Sequence, residues 1–383
     1  MRARKRLLLV GAGHTHIEVL RRFGAHAEPD VDIAVVVPQR STPYSGMLPG
    51  LVAGHYTVDD IHIDAAAVTA YARARFVTSR VVALDLTHRQ ATTDADETIG
   101  FDVASLDIGS TPSPPAAGVR EHMVAVKPVS AFVPAWNAMR ADAGAGRIAS
   151  IAVVGAGAGG VETLLAMEYA MRGIAPIAWH LIGDTDAIMA QHAAAVRKRV
   201  GRVLARRGVA LHLGTPAVAI TREGVQLGNG TIVAADRVVW TTNAAAQRWP
   251  QAAGLATDAA GFIAVDDCLR SVSHPFVFAA GDCATQIAHP RPKSGVYAVR
   301  QGAPLAANLR RALRDESPRP FVPQRTALAL ISTGERCAVA SFGRFAIAGR
   351  WVWRWKDAID RRFVASYRRI AADAAIAPPR TGR

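Results

Sequence analysis

The chain has 383 residues, half of them hydrophobic and a fifth charged, enough to build two or three cores rather than one. Its formal charge is +14, but the excess is carried by scattered arginines in an alanine-rich chain without a nucleic-acid-binding motif, which argues against nucleic acid as a partner. Cys268, Cys283 and Cys337 form no CxxC and no close pair, which excludes a disulfide framework and a cysteine zinc site; no metal site is expected, and a reducing compartment is.

The opening MRARKRLLLV imitates a signal peptide, yet its apolar run is only Leu7–Val10 before Gly11, so it reads as a first buried strand. Polar residues, glycine or proline interrupt every other apolar run, and no membrane span is predicted. The expected location is cytoplasmic, with the inner face of the cell membrane as a peripheral alternative. After the first strand, GAGHTH turns into a helix with apolar positions at Ile17, Val19, Leu20 and Phe23. Gly11 and Gly13 fit a dinucleotide-binding turn, with helix N–H groups facing a phosphate. His16 stands where a third glycine is usual, so it is expected to hold the helix off its strand or to lie along a cofactor. His14 and His16 are candidate ligand contacts, with hydrogen bonding to the backbone as the structural alternative.

Asp32–Val37 is the second strand, and Pro38-Gln39-Arg40 follows it where a ribose-binding acid is usual. Arg40 or backbone groups must serve there instead. The loop Ser41–Gly54, STPYSGMLPGLVAG, sits at the carboxyl ends of the strands, where open α/β sheets bind ligands. Arg75–Leu86 and Ile99–Ile108 read as strands of a small β layer. DIGSTP at 107–112 closes the first half, with Gly109 letting backbone approach a cofactor. A proline-rich linker over 112–115 and a helix over Val129–Met139 lead onward.

The sharpest signal is Ile151–Glu162, IAVVGAGAGGVE: a strand, a tight turn and a helix start. Gly155 permits the turn, Gly157 lets backbone approach a pyrophosphate, and Gly160 lets the helix pack against its strand. Glu162 lies in the first helical turn, on the side of any bound nicotinamide. Asp184, just past the strand Ala178–Ile182, is placed for a ribose hydroxyl pair and favours NADH over NADPH. Strands over Val209–Leu213, Val218–Leu227 and Ala235–Thr241 follow, and Gly261–Val265 and Pro275–Asp282 rejoin the first unit. In VFAAGD, Gly281 permits close approach and Asp282 can accept hydrogen bonds from ribityl hydroxyls. A helix beginning near Ser294 presents its positive end toward a reduced flavin, beside Lys293, while Tyr297 and Gln301 share one helical face. Trp351, Trp355, Ile359, Phe363 and Tyr367 recur every four residues among basic side chains. That stripe suits an anionic membrane surface, and equally a face packed on the first domain or on a second subunit of a homodimer.

The fold expected is α/β: two Rossmann-like dinucleotide-binding domains, one for FAD and one for NAD(P)H, the second inserted in the first, plus a small C-terminal segment. The divisions expected are 1–125, 126–255, 256–318 and 319–383. On GAGHTH at 11–16, TPYSGMLPG at 42–50, DIGSTP at 107–112, VVGAGAGGVE at 153–162, FAAGDCA at 278–284 and RPKSGVYAVRQG at 291–302, the chain resembles the FAD-dependent pyridine nucleotide-disulfide oxidoreductase superfamily. Within it the match is to type II NADH dehydrogenase-like proteins, including the flavoprotein domain fused to selenophosphate synthetase. The resemblance implies FAD cradled by Gly11, Gly13, Thr42, Pro43, Gly109 and Asp282, NADH at Gly155, Gly157, Gly160 and Glu162, and quinone entry near Gln301. Two departures stand out: Arg300-Gln301 replaces the paired glutamines of respiratory members, and no cysteine pair stands beside the flavin motif. The leading expectation is therefore hydride transfer from NADH to FAD and two-electron transfer to a quinone-like acceptor, with Glu162, Lys293 and Gln301 around the reacting groups. The alternatives are a reductase for a selenium- or sulfur-related small molecule or a protein, and a flavin-binding subunit without turnover.

Overall fold

The computed structural model describes residues 4–112, 117–118, 123–242 and 244–376, with 117–118 and 371–376 described by backbone alone. The proline-rich linker beyond Pro112 lies outside the described residues. Lys5–Val10 is the central strand of the first sheet, and Leu7 to Val10 are buried on both faces, as a parallel strand covered by helices requires. Each of these side chains contributes about 1.5–3 kcal/mol of burial. In spatial order the sheet runs Val277–Ala279, Val103–Leu106, Lys5–Val10, Val31–Val37 and Arg75–Thr78, all parallel. Val277–Ala279 thus returns to a sheet begun at the N-terminus after the chain has built a second one. That second sheet runs Met123–Ala125, Arg237–Trp240, Ser150–Val154, Ala178–Ile182 and Ala210–His212, again all parallel. Two Rossmann-like sheets, one inserted within the other, are the architecture the glycine motifs imply.

Two long runs read as single strands are each divided between sheets. Within Arg75–Leu86, the chain breaks at Ser79-Arg80, where Asp94 accepts from the Ser79 hydroxyl and from Arg80 N–H at 2.9 Å. Arg75–Thr78 therefore edges the parallel sheet, while Val81–Asp85 joins Gln90–Thr93 and Thr98–Gly100 in an antiparallel layer. Within Ile99–Ile108, Asp102 accepts from Arg6 N–H at 2.7 Å, and the residues after it enter the parallel sheet. Val218–Leu227 is a hairpin of Ala217–Ile220 and Gly224–Leu227 rather than one strand, because Thr221 N–H closes on the Gly224 carbonyl. The Ser41–Gly54 stretch carries short elements of its own: Ser41–Pro43 pairs with His62–Asp64, and Leu48–Val52 is helical.

The C-terminal segment is a three-stranded antiparallel sheet, Ala329–Thr333, Glu335–Phe342 and Phe345–Gly349, followed by the helix Arg350–Ile376. Gly334, at φ +87°, fits against the Leu165 carbonyl and Tyr169, so the sheet rests on the helix Ala158–Met171 that leaves the second glycine turn. The four-residue stripe does not stay on one face: each step advances about 40° around a 3.6-residue helix. Trp351, Trp355 and Ile359 are accordingly exposed, while Tyr367 is buried. The face that packs is Val352, Trp353, Asp360, Val364 and Tyr367.

Candidate active site

The two glycine turns differ in what their glycines do. Gly11 (φ +87°) and Gly155 (φ +121°) take left-handed backbone conformations that a side chain would strain. A side chain at Gly160 would overlap the Gly155 carbonyl oxygen, and one at Gly13 would overlap the Asp107 carboxylate. Gly157 and Gly109 instead face open space, leaving room for a ligand rather than for packing. The helices His14–Ala25 and Ala158–Met171 start there without side-chain caps from their own N-cap residues, Gly13 and Gly157. At the first of them the His14 Nε2 is buried without a hydrogen-bond partner, an orphaned atom that a bound group would satisfy. Open glycine positions, helix starts at both turns and an orphaned ring nitrogen fit two dinucleotides.

His16 is fully buried, one ring nitrogen 2.7 Å from the Gly11 carbonyl and the other 2.8 Å from Ser105 Oγ. Burial pushes its pKa down to about 4. It neither spreads the helix from its strand nor faces the ligand side; it ties the turn together from beneath. His14 stands at the ligand side, in edge contact with Tyr44 at 5.3 Å, and burial also lowers its pKa. Arg40 is paired with Asp64 at 3.2 Å, and Thr42 and Pro43 lie in the short strand beside it. Asp184 is exposed just past Ala178–Ile182.

Gly281–Asp282 follows the returning strand. Asp282 is ion-paired with Lys127 at 2.8 Å, and the Gln301 side-chain oxygen accepts from Gly281 N–H at 2.7 Å. The Gln301 side-chain oxygen therefore holds the turn that presents Asp282. The helix Gly295–Leu313 begins at Ser294, as its sequence implies. Lys293 beside it bonds the Ala284 carbonyl and Thr285 Oγ1 (2.8 Å) and lies 4.1 Å over the Phe262 ring. Burial lowers its pKa. Asp282, Lys293, Tyr297 and Gln301 border one small cavity. Cys283 points away, its Sγ on the Leu106 and Ala280 carbonyls and its pKa pushed up to about 12 by burial, so it is an inert thiol.

Glu162 is where sequence and structure differ most. Instead of edging an open nicotinamide cleft, its carboxylate accepts from Ser332 N–H at 2.7 Å, on the first strand of the C-terminal sheet. Surrounding protein pushes its pKa up to about 7, with Lys356 nearby lowering it and Asp360 raising it. Lys356 bonds Asp360 at 2.6 Å and the Gly46 carbonyl at 2.7 Å. Asp360, its own pKa raised by burial, is in turn hydrogen-bonded by Tyr44. Two carboxyls, one ammonium and one phenol thus form a cluster, Asp360 buried and the others half-buried, that joins the second glycine helix, the 41–54 stretch and the C-terminal helix. Sequence reading missed Asp107, Lys127, Ser332, Lys356 and Asp360. The available signals were Asp107 at the head of DIGSTP and Lys356-x-x-x-Asp360 at one-turn spacing inside an otherwise apolar face.

Residues 5–302 match the pyridine nucleotide-disulphide oxidoreductase family. The chain belongs to that family. FAD and NAD(P)H are its cofactors. An NADH dehydrogenase-like protein of Mycobacterium tuberculosis (strain CDC 1551 / Oshkosh) is 30% identical over 219 residues, covering 54% of each chain. The chain thus spans about half the length of the curated relatives it matches. Among solved structures, the sulfide:quinone oxidoreductase of Aquifex aeolicus superposes with a TM-score of 0.83 at 18% identity, covering 98% of this chain and 93% of that one. NDH2 of Plasmodium falciparum superposes with a TM-score of 0.78 at 11% identity, covering 97% and 98%. At such identities the likeness is one of fold. It extends past the family match at residue 302 and through the C-terminal sheet and helix, because both superpositions cover nearly all of this chain.

Proposed function

We propose that the chain is an FAD-dependent NADH dehydrogenase that passes two electrons to a quinone-like acceptor. The reading rests on one observation above others: the Glu162 carboxylate, in the first turn of the second glycine helix, accepts from Ser332 N–H of a C-terminal lobe that carries exposed apolar side chains. FAD would lie along Gly11, Gly13, Thr42, Pro43 and Gly109 with Asp282 toward its ribityl chain, and NADH along Gly155, Gly157 and Gly160 with Asp184 toward a ribose. The flavin supplies hydride acceptance and two-electron release. The chain's own residues bind and align the two rings, exclude water, and hold a proton at the Glu162 carboxyl. Lys127 holds Asp282 in place until a hydroxyl competes for it. The unpaired, buried Cys283 speaks against disulfide chemistry, and oxidation of NADPH in place of NADH is disfavoured by the charge of Asp184.

The test is stopped-flow mixing of the purified, FAD-loaded protein with NADH under anaerobic conditions. Flavin bleaching followed by reoxidation on adding a soluble quinone is expected. No bleaching leaves a flavin-binding subunit without turnover; bleaching without quinone reoxidation leaves a reductase for another small molecule or a protein.

A lipid-soluble acceptor fits the exposed surface. Phe342, Phe345, Ile347, Trp351, Trp355 and Ile359 are all more than 40% exposed, with Arg344, Arg350 and Arg354 exposed in the same hairpin and helix turns. No helix among the described residues is long and apolar enough to cross a membrane. Aromatic side chains ringed by arginine suit peripheral attachment to an anionic bilayer. Replacing Phe345, Trp351 and Trp355 together by serine is expected to cut co-flotation with anionic liposomes at least about tenfold, since each buried aromatic contributes on the order of 1.5–3 kcal/mol. Unchanged flotation would leave this face to a second subunit.

A further inference from the structure

The first glycine turn contains an anion of its own. Asp107, at the end of the strand Val103–Leu106, is 4% exposed, and its carboxylate accepts from Thr15 N–H and His16 N–H, both at 3.0 Å. Those are first-turn donors of the helix that a dinucleotide pyrophosphate needs. The Gly13 N–H is directed at the Asp107 carbonyl, 3.3 Å away, and the Ile17 N–H is spent within the helix. His14 N–H is the first-turn donor left over. The carboxyl is also built into the cradle sterically, because side chains at Gly13 or Gly281 would overlap it.

Charges around Asp107 offset it only in part, His14 favouring the ionised carboxyl and Asp282 opposing it. His14, on the helix, has its pKa lowered by burial, with Asp107 and Asp282 acting in the opposite direction. Asp282, on the returning turn, is acidic and keeps Lys127 for itself. Cys283, next to Asp282, is a neutral thiol. The His16 ring is turned to Gly11 and Ser105. Among the described residues no salt bridge reaches Asp107; the helix-start N–H groups and the nearby His14 ring are what favour its charged form. Burial already pushes its pKa up to about 6. A pyrophosphate at the same helix start brings two further negative charges into a site with one free donor.

We propose that Asp107 makes cofactor binding proton-linked: seating the FAD pyrophosphate on this helix start requires Asp107 to take up one proton from solvent. The inference rests on FAD occupying the first glycine turn. Once protonated, Asp107 Oδ2, which otherwise accepts from both N–H groups, keeps one of them and releases the other to the phosphate. The cofactor is then held tightly near and below neutrality and progressively released in alkali. The apparent dissociation constant rises about tenfold per pH unit above about pH 6, until the bound-state pKa is reached.

The experiment titrates the full-length apoprotein with FAD, followed by flavin fluorescence from pH 5.5 to 8.5, and repeats one pH in calorimetry with buffers of differing ionisation enthalpy. The wild type is expected to take up close to one proton at pH 7. Asp107→Asn, an isosteric neutral cap, is expected to bind FAD with no pH slope and no proton uptake, and at least about tenfold more tightly than wild type at pH 8. FAD binding without proton uptake by the wild type overturns the inference alone and needs no variant. Uptake retained in Asp107→Asn moves the proton to His14 and also overturns it. No FAD binding at any pH overturns the inference together with the reading beneath it. Asp107→Ser serves the same comparison if the asparagine variant does not fold.

Discussion

Glu162→Gln is expected to separate the two half-reactions. Flavin bleaching by NADH should change by less than about threefold, because no proton need move for hydride transfer, whereas reoxidation by quinone should slow roughly a hundredfold, the usual worth of a positioned acid. The sign of the pH effect follows from its environment. With its pKa pushed up to about 7, Glu162 holds its proton below neutrality and loses it above. Wild-type reoxidation should therefore fall as pH rises through 7, and the variant should show no such inflection. The same shift makes the ionised form costly to bury, so thermal melting at pH 8 should be higher for Glu162→Gln than for wild type. A proton step limited by bulk solvent would give equal reoxidation rates and parallel pH profiles. Keeping the Ser332 N–H bond is within reach of glutamine, which isolates the proton from the hydrogen bond.

The second large effect belongs to Gly160. A side chain there meets the Gly155 carbonyl oxygen, a backbone atom that cannot rotate away, and also crowds Thr241 Oγ1 at 2.6 Å. Gly160→Val is thus expected to part the helix Ala158–Met171 from its strand and spoil the alignment of the first helical turn. Overpacking of this kind costs about 1–3 kcal/mol or more. Measured as NADH concentration dependence of flavin bleaching, half-saturation should rise at least about tenfold, while FAD content of the purified protein stays near one per chain. Gly159→Ala is the control, since its side-chain position is open. Equal bleaching by both variants would remove the second glycine turn from the nicotinamide site.

The repeated grammar of strand, glycine and helix was legible because it is local. A run such as Ile151–Val154 into Gly155 needs only backbone freedom and apolar burial, and both are written in consecutive residues. The Ser294 helix start and the returning strand Val277–Ala279 follow from the same signals. Strand ends were less legible: Asp94 and Asp102 divide what look like continuous β runs, through bonds to residues 14 and 96 positions away. The roles of polar residues were least legible. The acceptor contact at Gln301 was implied by the family resemblance, and its bond to Gly281 N–H was not foreseen; of the readings open for His16, bonding to backbone is the one found, on the Gly11 carbonyl.

What the sequence determined by itself is the α/β architecture with two glycine turns, because helix, strand and turn preferences act between near neighbours. Only the tertiary structure decided that Asp107 lies under the first turn and that Glu162 meets Ser332, Lys356 and Asp360. Those meetings join residues some 90 to 200 positions apart, and the fate of a buried charge depends on the neighbours that folding brings to it, which no local pattern records.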